Sequence, residues 1–183
     1  MQELFRIISG VISAGILFWY AWQIYSGKSE PPNPASWILW WLIDTIVLIT
    51  TYISGKPIGL PLGWSLGAGL VVFTIFKKGS WMWSYKETIC TISTGLAVYF
   101  WLSLGAAAGV IAGAIAIFIS GIPIFIDMIR TPYRKTLPVW AFTALACVFT
   151  LLGSDGTLVG TIVGWESLVN NIVMSLVVLR DKR

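Results

Sequence analysis

Seven long apolar stretches, separated by short segments that hold nearly all of the charge, constrain this chain more than any other feature. They run Phe5–Tyr25, Ser36–Ile53, Leu60–Phe76, Glu87–Leu104, Ala106–Met128, Thr136–Gly153 and Thr157–Leu179. About 17–25 apolar residues are what a helix needs to cross the hydrocarbon of a bilayer. There every backbone N–H and C=O must find its partner within the segment, which helices achieve. Only 11% of the residues are charged and 57% are apolar or aromatic, against roughly 25% charged in an ordinary soluble domain. One small core cannot hide that much apolar surface. The expected fold is an all-α membrane protein of seven transmembrane helices. The first stretch is read as a span rather than a cleaved leader, because the remainder of the chain is itself apolar.

Several chemistries are excluded at once. The chain has no histidine, so His-based triads, His-ligated zinc and His proton relays are closed to it. Cys90 and Cys147 both fall inside apolar stretches and read as packing residues, with no disulfide framework or metal site. No cofactor is expected.

Charge sets an orientation. Lys28, Lys77, Lys78, Lys86, Arg130, Arg134, Lys135, Arg180, Lys182 and Arg183 fall on one side if the stretches alternate, and only Arg6 and Lys56 on the other. Cytoplasmic loops are rich in Lys and Arg, so the N-terminus is expected outside and the C-terminus in the cytoplasm. The net charge of +4 follows from this sidedness and anionic lipid, without nucleic acid. Short loops point to a prokaryotic inner (plasma) membrane. Trp19, Trp22, Trp37, Trp81 and Trp83 lie near predicted helix ends, where indoles anchor at the headgroups.

The chain also echoes itself. Gly10-Val11-Ile12 is matched by Gly109-Val110-Ile111, Trp40 by Trp140, and Gly63-Trp64 by Gly164-Trp165, at offsets of 99, 100 and 101 residues. The repeat unit is three helices, and one is left over. The expected organisation is two parallel three-helix bundles, residues 1–78 and 105–183, joined by a linker helix within 79–104. An odd unit needs that extra crossing to bring its copy back to the same orientation, as in transporters with parallel repeats.

The segment Gly121-Ile122-Pro123-Ile124-Phe125-Ile126-Asp127, continuing through Arg130, Pro132, Leu137, Pro138 and Trp140, resembles the helix-breaking proline, basic loop and next-helix start of the PQ-loop superfamily. That superfamily includes SWEET sugar transporters, lysosomal amino-acid exporters and the KDEL receptor. Asn33-Pro34-Ala35-Ser36-Trp37-Ile38-Leu39-Trp40 is similar to the opening of span two in bacterial relatives. Ile124 stands where the family has glutamine. The resemblance implies a three-plus-one-plus-three plan with a central solute site. It nominates Asn170 or Asn171, with Trp40 and Trp140, as substrate-binding residues.

Polar groups at bilayer depth are candidates on physical grounds alone, since placing an ionisable side chain there costs at least about 2.5–3.5 kcal/mol. Asp44 falls mid-way along the second stretch and Glu166 about a third of the way into the seventh, with no Lys or Arg at comparable depth. Carboxylic acids in such positions can carry a proton. Asp127 sits close to the cytoplasmic end, beside Arg130, and reads as reaching water. Asn170 and Asn171 offer amides at the midplane of the seventh stretch. Glu166 and Asn170, four apart, share a face, and Asn171 is turned about 100° away. Pro123 removes a rung of the fifth helix's ladder and is the expected hinge. Ala106–Ala108 and Gly109–Gly113 allow close helix approach.

The expected function is transport of a small polar solute by alternating access between the two units, with proton coupling. The expected partners are that solute, the bilayer, a proton and a further copy of the chain. The alternative is a membrane receptor, scaffold or assembly factor that binds without carrying. Enzymatic and light-sensing roles are not expected, since no catalytic motif is present and Thr157–Leu179 lacks a Schiff-base lysine.

Overall fold

A computed structural model of the chain describes residues 1–130 and 136–180, apart from the side chains of Pro123, Asp127 and Arg130. The side chains at the expected hinge Pro123, at Asp127 and at Arg130 therefore lie outside the description, as do the residues Pro132, Arg134, Lys135, Lys182 and Arg183.

Among the described residues there are seven helices and no strand: α1 (Gln2–Tyr25), α2 (Pro34–Ile53), α3 (Gly59–Ile75), α4 (Tyr85–Leu104), α5 (Ala106–Arg130), α6 (Leu137–Leu152) and α7 (Leu158–Val178). Local chemistry explains where they start. Asn33 accepts from the Ala35 amide with Pro34 in the first turn of α2, and Thr157 accepts from the Gly160 amide to open α7. Ser84 and Glu87 form a reciprocal capping box on α4. Each satisfies amides that a helix start leaves without partners. Gly105, at φ +91°, separates α4 from α5 in a left-handed conformation that favours glycine.

Five helices (α1, α2, α4, α5 over Ala106–Ile126, and α7) are long and apolar enough to cross a membrane, and α3 and α6 are shorter apolar helices. The distribution of side chains agrees. Phe73 is 82% exposed and Leu102 76%, and Leu66, Leu176 and Ile92 also face outward. Meanwhile Ser9, Ser13, Thr50, Glu87, Ser120, Ser167 and Asn171 are buried. Apolar outside and polar within is the reverse of a soluble domain and suits a lipid solvent. Hydroxyls along the helices largely donate to the carbonyl one turn back, as Ser13 does to Ser9 at 2.8 Å and Thr94 to Cys90 at 2.7 Å. Cys90 and Cys147 are buried free thiols.

The helices pair in a closed circuit. α1 lies against α3, α3 against α2, α2 against α5, α5 against α7, α7 against α6, and α6 against α1; α4 packs outside, on α5 and α2. Small residues set the closest contacts. A methyl group on Gly63 of α3 would run into Ser13 and come 2.6 Å from the Gly10 carbonyl of α1. One on Gly113 of α5 would come 2.5 Å from a Val47 methyl of α2. Without a hydrophobic drive between helices in lipid, such close approach is what holds them together.

Replacing Gly63 by leucine should therefore lower stability by about 1–3 kcal/mol, the usual cost of overpacking, seen as a depressed melting temperature in detergent. Gly15→Ala meets open space and should hold or slightly raise it, through the roughly 0.8–1 kcal/mol better helix propensity of alanine. Equal melts for the two variants would refute the tight α1–α3 contact.

Candidate functional site

Between the helices of this circuit lies a cavity of about 370 Å³, within the range of small-molecule sites. Its deep part is lined by Trp40 and Asp44 of α2, Trp64 and Ala68 of α3, Trp140 and Thr143 of α6, and Ser167, Asn170 and Asn171 of α7. From there it extends to the end of the bundle where Pro32, Asn33, Lys86 and Thr136 line it.

Local sequence explains how these groups are held. Trp40 precedes Asp44 by one helical turn, so the two share a face. Asp44 is 7% exposed, lines the cavity and takes no hydrogen bond from any described residue. Its electrostatic neighbour on α7 is the acid Glu166. Trp140 is fixed by the bond from its Nε1 to Thr136 Oγ1, 3.1 Å. Asn171 is buried and donates to the Ser167 carbonyl at 2.7 Å. Asn170 sits against Gly121 of α5, where a Cβ would come 3.2 Å from its amide nitrogen. The glycine that opens the Gly-Ile-Pro segment thus makes room for an amide of the opposing helix.

Of the six residues expected to bind a solute, five line this cavity: Trp40, Asp44, Trp140, Asn170 and Asn171. Glu166 does not line it. Its Oε2 accepts from Ser167 Oγ at 2.7 Å, and its Oε1 is buried without a partner among the described residues. It lies close to Cys147 of α6. Glu166 and Asn170 lie one turn apart on α7, yet only Asn170 of the two lines the cavity, and Asn171, about 100° from Asn170, lines it too. The cavity face of α7 centres on Ser167 and Asn171, which leaves Asn170 at its edge and turns Glu166 toward α6.

The tryptophans differ in their surroundings. Trp37, expected as an interface anchor, stacks on Tyr20 with ring centroids 5.6 Å apart and lines the cavity. Trp19, Trp22, Trp81 and Trp83 are exposed as expected. The Gly-Trp match of α3 and α7 does not give equivalent environments, since Trp64 is buried and Trp165 faces outward.

The opposite end of the bundle is joined by polar contacts. Arg6 Nε donates to the Gly153 carbonyl at 2.7 Å, Ser9 and Thr150 share a hydrogen bond of 2.6 Å, and Gln2 reaches the Ser154 carbonyl at 3.4 Å. Lys56 pairs with Asp155 at 2.6 Å. These contacts tie α1 and the α2–α3 turn to the end of α6 and the α6–α7 turn.

One residue gave no sign of its role in the sequence pattern of the spans. Glu87, 2% exposed, accepts hydrogen bonds from the Ser36 hydroxyl, from Asn33 Nδ2 at 3.0 Å, and from the Ser84 amide and hydroxyl at 2.7 and 2.5 Å. It joins the start of α4 to the start of α2 beside the cavity mouth. Its signal was in the sequence as Ser84-x-x-Glu87, a helix-start pattern.

No family model, curated protein or solved structure matches the chain.

Glu87→Ala should lower stability by roughly 1 kcal/mol or more, because the half-buried donors of Asn33 and Ser36 and the cap donors of Ser84 lose their charged acceptor. Glu87→Gln, which keeps an acceptor oxygen, should cost less. Thermal unfolding in detergent reads both; an Ala variant as stable as wild type would remove Glu87 from the α2–α4 junction.

Proposed function

We propose that this chain is a membrane transporter that carries a small polar solute by alternating access between two three-helix units, α1–α3 and α5–α7, with α4 as the linker. In this reading all seven helices cross the bilayer, with the N-terminus outside and the C-terminus in the cytoplasm of a prokaryotic cell. The helix pairings support it. In each unit the third helix packs on both the first and the second, and across the units α1 meets α6 as α5 meets α2. Exchanging the units leaves that pattern unchanged, as a parallel repeat requires.

The observation that carries the proposal is the cavity itself, shared by Asp44 and Asn170, reaching one end of the bundle while the other end is bridged between the units. The bridges are of a kind that opens readily. Exposed ion pairs such as Lys56–Asp155 are worth about 0.2–1 kcal/mol, small beside the few kcal/mol that separate two conformations of one protein. A shared central cavity supports a carrier over a receptor or scaffold. Asp44 and Glu166 are the groups on which proton coupling would rest.

Reconstitution in liposomes, with solutes screened with and without a proton gradient, should give uptake that Asp44→Asn abolishes. Silence across sugars, amino acids, vitamins and amines would overturn the proposal.

The closed end has its own test. The hydrogen bond from Lys56, then those from Thr157, hold the Asp155 carboxyl below the ordinary carboxylate range. A depressed carboxyl contributes stability that is present above its ordinary pKa of about 4 and is lost only as the pH falls through its lowered value. Closure should thus be constant from pH 5 to 8. With Cys90 and Cys147 replaced by alanine, Thr143→Cys should label poorly with an impermeant maleimide from the N-terminal side throughout that range. Adding Lys56→Gln should raise labelling severalfold; no change would exclude the pair from the gate.

A further inference from the structure

We infer that the solute is an organic cation, an ammonium or other positively charged nitrogen on an apolar or aromatic body, carrying no carboxylate or phosphate of its own. The inference rests on the transport reading in taking the central cavity as the solute site.

Three observations converge on that charge. Asp44 lies more than nine-tenths buried at the middle of α2, faces the cavity, and receives neither a hydrogen bond nor an ion pair from any described residue. Its electrostatic neighbour is Glu166, another acid. The described protein therefore supplies no counter-charge to Asp44; a proton neutralises the empty site, and a visiting cation takes the proton's place.

The walls fit the same ligand. Trp37, Trp40, Trp64 and Trp140 all line this one cavity, and indole faces are the strongest side-chain partners for organic cations. Trp40 stands one turn from Asp44 on the same helix face, so an ammonium drawn to the carboxylate arrives beside an indole. Quaternary ammonium groups are recognised this way in aromatic cages, where the ring quadrupole replaces water.

The same features reject the competing classes. A carboxylate or phosphate needs a guanidinium or ammonium at depth; among the described lining residues the one cation, Lys86, is at the mouth. A sugar needs polar partners around its whole rim, whereas Leu17, Ala68, Ile117, Ile124 and Val139 take much of the wall. The amides of Asn170 and Asn171 leave room for one polar substituent. A bare metal ion prefers a cage of six to eight oxygens, which four indoles do not offer.

The test compares three probes sharing a benzyl body on the wild-type chain in lipid nanodiscs, with empty nanodiscs as the partition control: benzyltrimethylammonium, benzyl alcohol and phenylacetate. Calorimetry should give saturable binding of benzyltrimethylammonium at least tenfold tighter than either of the others. Asp44→Asn should weaken it tenfold or more, Asp44→Glu should restore most of it, and Trp140→Ala should weaken it more than Trp140→Phe. Equal binding of the three probes, a preference for phenylacetate, or an Asp44→Asn variant of wild-type affinity would overturn the inference; the probe comparison needs no variant to fold. Liposome flux separates this from the transport reading. Asp44-dependent binding without flux keeps the cation site and sinks the carrier. Asp44-dependent flux of a neutral or anionic solute, with no binding of benzyltrimethylammonium, keeps the carrier and sinks the cation.

Discussion

The fold turns on a single constraint: with hydrocarbon outside, every polar atom has to be satisfied inside. Most hydroxyls meet it locally by donating to the carbonyl a turn back, as Thr45 does to Trp41 and Thr74 to Leu70, so they ask nothing of neighbouring helices. A few meet it across helices, and these mark the seams: Ser9 with Thr150 between α1 and α6, Thr45 with Ser65 between α2 and α3, Glu87 with Asn33 and Ser36 between α4 and the start of α2. Asp44 meets it in neither way among the described residues, and nor do Glu166 Oε1 or the hydroxyls of Thr51, Ser54 and Ser120; of these groups Asp44 is the one that lines the cavity. In a structure otherwise so thrifty with polar groups, an acid aimed into a central cavity is the feature that distinguishes a site from packing.

Much of this was legible in the sequence, and the reason is length. A bilayer demands apolar runs of a particular extent, so the seven stretches coincide with the seven helices to within three residues at every end. The break between the fourth and fifth stretches falls at Gly105, the residue able to take a positive φ. The depth of Asp44, Asn170 and Asn171 came from the same count.

What the residues did not reveal is rotation. A soluble helix announces its buried face by polarity, but here apolar residues cover both the lipid side and the helix contacts, so the face of α7 that looks into the cavity had no periodic signal. Close packing sets it instead: Gly164 lies against Leu151 and Thr150 of α6, and Asn170 against Gly121 of α5. That setting turns Glu166 away from the cavity and brings in both asparagines. Trp37 illustrates the same blindness, since nothing in the sequence says that a ring near the start of α2 stacks on Tyr20 of α1. Glu87 was missed for a different reason. Its pattern is a local capping signal, and nothing local says that a cap will also be buried against a second helix.

The α2–α5 and α1–α6 seams are not built alike, and in the proposed carrier that difference would bear on how the bundle moves. At the α2–α5 seam Gly113 admits Val47 and Gly109 admits Thr50, and α4 lies across both helices, fastened to the start of α2 through Glu87. Parting that seam would open voids in close-packed contacts, each of which forfeits dispersion energy outright. The α1–α6 seam is packed as well, with Phe5 against Phe149 at a ring-centroid distance of 6.0 Å and Gly153 against Arg6 and Gln2, but it adds hydrogen bonds from Arg6, Gln2 and Ser9, each worth a net of about 0.5–1.5 kcal/mol. In the proposed carrier the seam that α4 does not brace would give the easier direction in which to open. That direction leads through Lys56 and Asp155 toward the closed end of the cavity.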